Sequence, residues 1–283
     1  MHVQFAAGLY KYGVQTPLGT STATSTTADN NMIALFALLA LAASVSAETD
    51  TKIVGGSDAT YGDHPYIGSL QARSGTSWYH ICGAVIYNQN TIVTAAHCLG
   101  NSASSYRVLL GNHRLNNNDA HQAAYTFSGY TRHPNYNGNA AGYPNDIACM
   151  KTSSTISFNS HVSAISFDNG GSWAGQSCVL SGWGRLTGGG SLPNTLQKVS
   201  ITKITNSNCA SRWASISGAS INSGHICFYT GSGISACNGD SGGPATCGNT
   251  LVGITSWGIS NCSGSYPSVY TRVSQFQSFL NSC

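Results

Sequence analysis

Three separated groups in this chain carry side chains able to assemble an activated nucleophile. Gly239-Asp240-Ser241-Gly242-Gly243-Pro244 offers a serine in a glycine-rich turn, Thr94-Ala95-Ala96-His97-Cys98 an imidazole, and Asn145-Asp146-Ile147-Ala148 a carboxylate. A serine hydroxyl is a weak nucleophile at neutral pH and needs a base within hydrogen-bond reach. An imidazole, with an unperturbed pKa of about 6.5, can take that proton and return it. Its two nitrogens must be held in one tautomer, which a buried carboxylate on the far nitrogen does. Backbone N–H groups of a tight glycine turn could then meet a developing oxyanion, each such donor being worth about 3 kcal/mol. Taken alone, a G-x-S-x-G match also marks the nucleophile elbow of α/β-hydrolases, which requires a helix after the serine. Here Gly243 and Pro244 forbid a good helix.

The elements that must position these groups read as mostly β. The 283 residues hold 33 Gly and 14 Tyr, and only 7% are charged. Such a composition suits short strands joined by tight turns. Runs at Ile81–Tyr87, Thr91–Ala95, Tyr106–Leu110, Ser177–Ser181, Leu196–Thr202 and Leu251–Trp257 mix β-branched and aromatic residues between Gly, Asn or Ser turns. One helix stands out, Val273–Leu280, where Val273, Phe276, Phe279 and Leu280 recur at helical spacing. An apolar content of 41% is enough for real cores and argues against disorder. The formal net charge of +3 comes without a cluster of Lys and Arg, so nucleic acid is not an expected partner.

The ten cysteines contain no C-x-x-C pair, which disfavours a zinc ribbon and points to five disulfides in an oxidising compartment. Upstream, Met32 to Leu41 is an apolar run too short to span a bilayer, followed by Val45-Ser46-Ala47. It reads as a signal peptide over 32–47, cleaved after Ala47, giving a secreted, extracellular protein with no membrane anchor. Residues 1–31 read as an upstream extension, either outside the true translation start at Met32 or a disordered tail. Residues 48–52 form a short segment ending in Lys52, and the mature domain runs over 53–283.

In chain order the groups run His, Asp, Ser, unlike the orders of α/β-hydrolases and subtilisins. Together with Ile53-Val-Gly-Gly56 and Ser256-Trp-Gly258, they resemble the chymotrypsin/trypsin/elastase family from Ile53 to Cys283. The resemblance implies two antiparallel six-stranded β-barrels, about 53–165 and 166–283, with a C-terminal helix and a site in the seam. It makes Ser241 the nucleophile, His97 the base and Asp146 its orienting acid, with Gly239 and Ser241 N–H groups as the oxyanion hole. It also implies a precursor activated by a trypsin-like protease cutting after Lys52. The new Ile53 ammonium would pair with Asp240, whose lone burial is otherwise costly.

In the same resemblance Ser235 stands at the floor of the specificity pocket, where an enzyme cutting after Lys or Arg carries Asp. Gly258 and Ser268 match the pocket walls, while Ser256, Trp257 and Gly258 pair with the substrate backbone. An uncharged slot implies cleavage after large apolar or aromatic residues, with elastase-like preference for smaller ones as the alternative. The discrimination should be broad, since a methylene is worth about 1–3 kcal/mol. Implied disulfides are Cys82–Cys98, Cys178–Cys247, Cys209–Cys227 and Cys237–Cys262. Cys149 and Cys283 remain and are expected to pair, with two free thiols as the alternative. The stretch matching the family's calcium loop, Gly111–Gln122, has Asn112 and Gln122 in place of two glutamates, so neither metal nor cofactor is expected. Expected partners are protein or peptide substrates, the activating protease and protein inhibitors, with the enzyme itself a monomer. A protease-like binding protein without catalysis would need a replaced triad residue, and none is replaced.

Overall fold

Short strands rich in β-branched and aromatic residues leave costly unpaired edges, and closing a sheet on itself removes them. The computed structural model describes residues 55–231 and 233–283, and it closes two such sheets. The upstream extension 1–31, the signal segment 32–47, the segment 48–52 with Lys52, and Ile53 lie outside the described residues.

The first barrel consists of β1 (Ile67–Ser74), β2 (Ser77–Asn88), β3 (Thr91–Thr94), β4 (Tyr106–Leu110), β5 (Ala123–Arg132) and β6 (Ala148–Thr152). The second consists of β7 (Ser177–Gly182), β8 (Gln197–Ile204), β9 (His225–Phe228), β10 (Pro244–Cys247), β11 (Thr250–Trp257) and β12 (Ser268–Arg272). Around the first the order is β1-β2-β3-β6-β5-β4, with β4 paired back to β1. Around the second it is β7-β8-β9-β12-β11-β10, with β10 paired back to β7. All of these pairings are antiparallel, and both halves of the chain wind in the same way. Inward positions such as Leu70, Val85, Ile92 and Val108 fill the first barrel, and Leu180, Ile201, Phe228 and Val252 the second. Each fully buried aliphatic side chain contributes about 1.5–3 kcal/mol.

The two ends of the chain cross between the barrels. Near the N-terminus, Ser57 and Asp58 pair with Lys198 and Gln197 of β8, in the second barrel. At the other end, Val273, Phe276 and Leu280 bury themselves in the core of the first barrel. The strands of the first barrel fall within 67–152 and those of the second within 177–272, while each end of the chain packs on the other barrel. The expected helix begins as a tighter 3-10 turn, Val273–Phe276, and continues as an α-helix over Gln277–Asn281. Cys283 just beyond it is joined to Cys149 on β6.

A further α-helix, Asn206–Trp213, was not legible because its residues are polar and of poor helix propensity. It is held by tertiary contacts. Thr205 caps it by accepting from Asn208 N at 3.2 Å, while Cys209 and Trp213, one turn apart, are buried. Four more disulfides, Cys82–Cys98, Cys178–Cys247, Cys209–Cys227 and Cys237–Cys262, leave no free cysteine among the described residues.

Candidate active site

Strand β3 ends in Thr94, and the chain then makes a single 3-10 turn, Ala96–Cys98, with His97 at its centre. Cys98 on one side and the fully buried Ala95 and Ala96 on the other leave the turn no freedom to slide. Asp146 comes from the loop before β6, where Asn145 takes a left-handed conformation, φ 61°, and its side chain donates to Asn135 O at 2.8 Å. The Asp146 side chain has no exposed surface. Its Oδ1 accepts the His97 backbone N–H at 2.9 Å, and Oδ2 accepts from His97 Nδ1 at 2.7 Å and from Ser256 Oγ at 2.6 Å. Thr271 Oγ1 donates to the Asp146 carbonyl at 2.7 Å. Because the carboxylate oxygen accepts, the imidazole proton sits on Nδ1 and the lone pair on Nε2. That Nε2 atom is buried and has no hydrogen-bond partner among the described residues.

Ser241 lies in a turn whose chain direction is set by glycine. Gly239 has φ 103°, and a Cβ there would come within 2.9 Å of Leu192 Cδ2 and 3.1 Å of Gly184 Cα. Gly242 has φ 76°, and a Cβ there would meet Thr94 Oγ1 at 2.1 Å. The nucleophile turn therefore rests on the residue that ends β3, three positions before His97. Gly83 N donates to the Ser241 carbonyl at 2.7 Å, and Gly83 adjoins Cys82 of the disulfide to Cys98. The fold thus brings Asp146 to His97, and ties Ser241 to Gly83, beside the Cys82–Cys98 disulfide that adjoins His97. The Ser241 hydroxyl makes no hydrogen bond to His97 among the described residues. The N–H groups of Gly239 and Ser241 likewise make no hydrogen bond there, so both donors of the expected oxyanion hole are unspent.

One residue of the site was missed from the sequence. His80 Nε2 lies 2.9 Å from the Gly239 carbonyl and its Nδ1 2.8 Å from Ser69 Oγ. A carbonyl can only accept, so Nε2 carries the proton and Nδ1 accepts from Ser69. Burial pushes the His80 pKa down to about 4, which keeps this neutral form at physiological pH. His80 thereby fixes the peptide that follows the oxyanion glycine. No local pattern marks it, because its partner lies 159 residues away in the chain.

Asp240 points away from the nucleophile. Its carboxylate accepts Gly184 N–H at 2.8 Å and Cys237 N–H at 2.9 Å, and a Cβ on Gly184 would collide with it at 2.2 Å. Burial raises its pKa from 3.8 to about 6, against the pull of those two donors.

At the expected pocket floor Ser235 is 3% exposed and donates to Cys262 O at 2.9 Å, while Ser268 Oγ accepts from Ala236 N at 3.2 Å. Trp257 is buried edge-on against Trp213, with ring centroids 5.0 Å apart, and Gly258 follows it. Of the 9 acidic residues in the chain, Asp29, Glu48 and Asp50 precede the described residues. The hydrogen bonds that the remaining six make among the described residues reach neither Ser235 nor Ser268. Asp58 accepts from Gln197, Asp63 from Lys198, Asp119 from Arg114, and Asp168 from the Gly170 and Gly171 amides. Asp146 and Asp240 are engaged as described above. In the Gly111–Gln122 loop, Asp119 spends its carboxylate on Arg114 and on the His113 and Arg114 amides. The one metal-type cluster among the described residues, Cys82, His97 and Cys98, has its two sulfurs joined to each other.

Comparison with known proteins agrees with this fold. A family model described as Trypsin matches residues 53–280. The chain is 54% identical to a chymotrypsin-like serine proteinase of Haliotis rufescens over 86% of its own length and 96% of that protein. It is 39% identical to fibrinolytic enzyme isozyme C of Lumbricus rubellus, covering 81% of this chain and 98% of the relative. Trypsin I-P1 of Gallus gallus is 35% identical, covering 88% and 96%.

Proposed function

The chain belongs to the trypsin family and is a serine endopeptidase, and from that premise we propose its catalytic residues, its specificity and its activation. Ser241 is the nucleophile. Its Oγ attacks the scissile carbonyl as His97 Nε2 takes the hydroxyl proton, and the imidazolium then gives that proton to the departing amine. An acyl-enzyme ester remains, which water hydrolyses by the same route in reverse. Asp146 holds the Nδ1–H tautomer and stabilises the imidazolium. Gly239 and Ser241 N–H groups receive the oxyanion. Ser241 and His97 Nε2 are not hydrogen-bonded to each other among the described residues, and contacts of this type commonly tighten only in the complex with substrate.

The bond cut is the one after a large apolar or aromatic residue. The observation that supports this is the placement of acids: the described carboxylates bond to groups other than Ser235 and Ser268, the residues at the expected floor, both of which carry uncharged hydroxyls. A lysine or arginine side chain there would be desolvated without a counter-charge, which costs several kcal/mol. Ser268, where a glycine would leave more room, favours a second reading in which smaller apolar residues are preferred. Digesting a peptide library with the processed protein and reading the residue before each cut decides between them. Predominant cleavage after Lys or Arg would refute the assignment of the pocket.

Activation follows cleavage after Lys52, when the Ile53 ammonium reaches the buried Asp240 carboxylate and fixes the neighbouring oxyanion turn. The protein is exported through the segment 32–47, consistent with its five disulfides. Its own pocket does not accept Lys52, so another protease makes the activating cut. A fluorophosphonate that labels Ser241 only after that cut, and not in His97→Ala, tests catalysis and activation together.

A further inference from the structure

We infer that Asn238 is a site of spontaneous deamidation, and that this reaction ends the working life of the enzyme by destroying an oxyanion donor. The inference rests on the assignment of the Gly239 N–H to the oxyanion hole made above, and concerns how that hole is lost.

Asparagine is chemically labile, most of all before glycine, which carries no Cβ to hinder attack by its own nitrogen. The chain holds three such pairs, Asn137-Gly138, Asn169-Gly170 and Asn238-Gly239. They differ in what their polar groups already do. Gly170 N donates to Asp168 Oδ1 at 3.2 Å, and a carboxylate facing an N–H opposes loss of its proton. Asn137 Oδ1 accepts Asn139 N at 3.0 Å. At the third pair, the Gly239 N–H makes no hydrogen bond among the described residues. Asn238 Nδ2, the group that must leave, has no hydrogen-bond partner there either, and Oδ1 rests against the Cys237–Cys262 disulfide, 3.6 Å from Cys262 Sγ. No other residue can follow Asn238: φ at 239 is 103°, and a Cβ would come within 2.9 Å of Leu192 Cδ2 and 3.1 Å of Gly184 Cα. The glycine that the turn requires is the glycine that exposes Asn238.

In the reaction the Gly239 nitrogen gives its proton to hydroxide and bonds to Asn238 Cγ. The Cγ–Nδ2 bond breaks, ammonia leaves after taking a proton from water, and a succinimide ring remains. Its nitrogen has no proton, so one oxyanion donor is gone. Water then opens the ring at Cγ to give aspartate, or at the main-chain carbonyl carbon to give isoaspartate. Both products place a carboxylate where negative charge must develop. Isoaspartate also reroutes the main chain through Cβ and Cγ, against the bonds that hold this peptide, Arg185 N to Asn238 O and His80 Nε2 to Gly239 O, each 2.9 Å. Loss of one such donor lowers kcat about a hundredfold or more.

The processed protein is aged in mildly alkaline buffer, alone and with a peptide boronic acid ending in the boron analogue of phenylalanine, then digested and mapped by mass spectrometry. The boron bonds Ser241 Oγ and sets a hydroxyl on the Gly239 N–H, so the attacking nitrogen is spent. Without the boronic acid, aspartate and isoaspartate should accumulate at 238 faster than at 169, and activity should fall in proportion to the asparagine lost. With it, conversion at 238 should slow about tenfold, the effect of one net hydrogen bond, while conversion at 137 is unchanged. Asn238→Gln, whose longer side chain closes the ring poorly, should outlast the wild type. Ser241→Ala, unable to digest itself, should still deamidate at 238. Asparagine intact at 238 in aged Ser241→Ala, equal conversion with and without the boronic acid, or full activity after conversion would each overturn the inference while leaving the enzyme reading intact. A boronic acid that fails to inhibit the fresh protein would overturn the catalytic reading and this one with it.

Discussion

Cutting the chain after Lys52 should change how stability depends on pH, and the change can be sized from Asp240. Its pKa is raised by burial from 3.8 to about 6. At about 1.4 kcal/mol per pH unit, that gap corresponds to about 3 kcal/mol. A carboxylate with a raised folded pKa binds its proton more tightly in the folded state. Its contribution is therefore complete below 3.8 and is lost as pH rises through about 6. In the precursor Asp240 should thus cost about 3 kcal/mol at pH 7 relative to acid. In the processed protein the Ile53 ammonium supplies the missing counter-charge, and the ionised form ceases to be penalised. The measurement is urea unfolding of Ser241→Ala, uncut and cut, across this pH range. Both forms share every histidine, so their difference isolates the pair. The stability gained on cutting should grow by about 3 kcal/mol between pH 4 and about 6.5 and then level off, equivalent to about 6–12 °C in melting temperature. Parallel curves for the two forms would refute the reasoning, as would an identical rise in Asp240→Asn.

Acid should unfold the protein by a different route. Burial lowers the pKa of His64 and His225 to about 4, as it does for His80, so their contribution is intact above 6.5 and is lost as pH falls toward 4. Each costs up to about 3 kcal/mol by pH 4, and circular dichroism should show loss of structure in that window in cut and uncut protein alike. Ser256→Ala removes a 2.6 Å hydrogen bond to the buried Asp146 carboxylate. It should lower kcat about tenfold with little change in KM, as measured on a peptide amide. Replacing Cys149 and Cys283 together by serine opens a bridge spanning 134 residues. It should cost about 3 kcal/mol in urea unfolding and slow fluorophosphonate labelling of Ser241 at 25 °C, where both barrels are still folded.

How much of this was readable in advance depended on whether a residue acts through its neighbours in the chain or through the fold. Ser241, His97 and Asp146 could be proposed from the sequence because each carries a local signature: a glycine turn, a flanking alanine pair with a cysteine, an Ile-Ala that leads into a strand. The six runs chosen as strands fall on β2, β3, β4, β7, β8 and β11, whose β-branched content is high. Of the remaining strands, β1, β5, β6 and β10 are interrupted by small and polar residues while β9 and β12 are only four and five residues long, and all six find partners in the closed barrels. Helix Asn206–Trp213 escaped for the same reason, its stability coming from two buried side chains and not from propensity.

The site shows where local reading must stop. Ser256 was chosen for the backbone it offers to substrate, yet its hydroxyl also bonds the carboxylate of Asp146, 110 residues earlier. His80 bonds Gly239 across 159 residues. Neither contact has a sequence pattern, because each is made between the two barrels and exists only after both have closed. The crossing of the chain ends has the same character: Ser57 and Asp58 reach the second barrel while Val273, Phe276 and Leu280 reach the first. A seam site needs its halves held in register to a fraction of an ångström, and neither barrel's core can supply that alone. The straps at both termini, and the hydrogen bonds of Ser256, Thr271 and His80, all cross the seam. Catalytic geometry here is therefore a property of the interface between two similarly wound barrels, which is why loosening a strap should slow the chemistry before it unfolds either barrel.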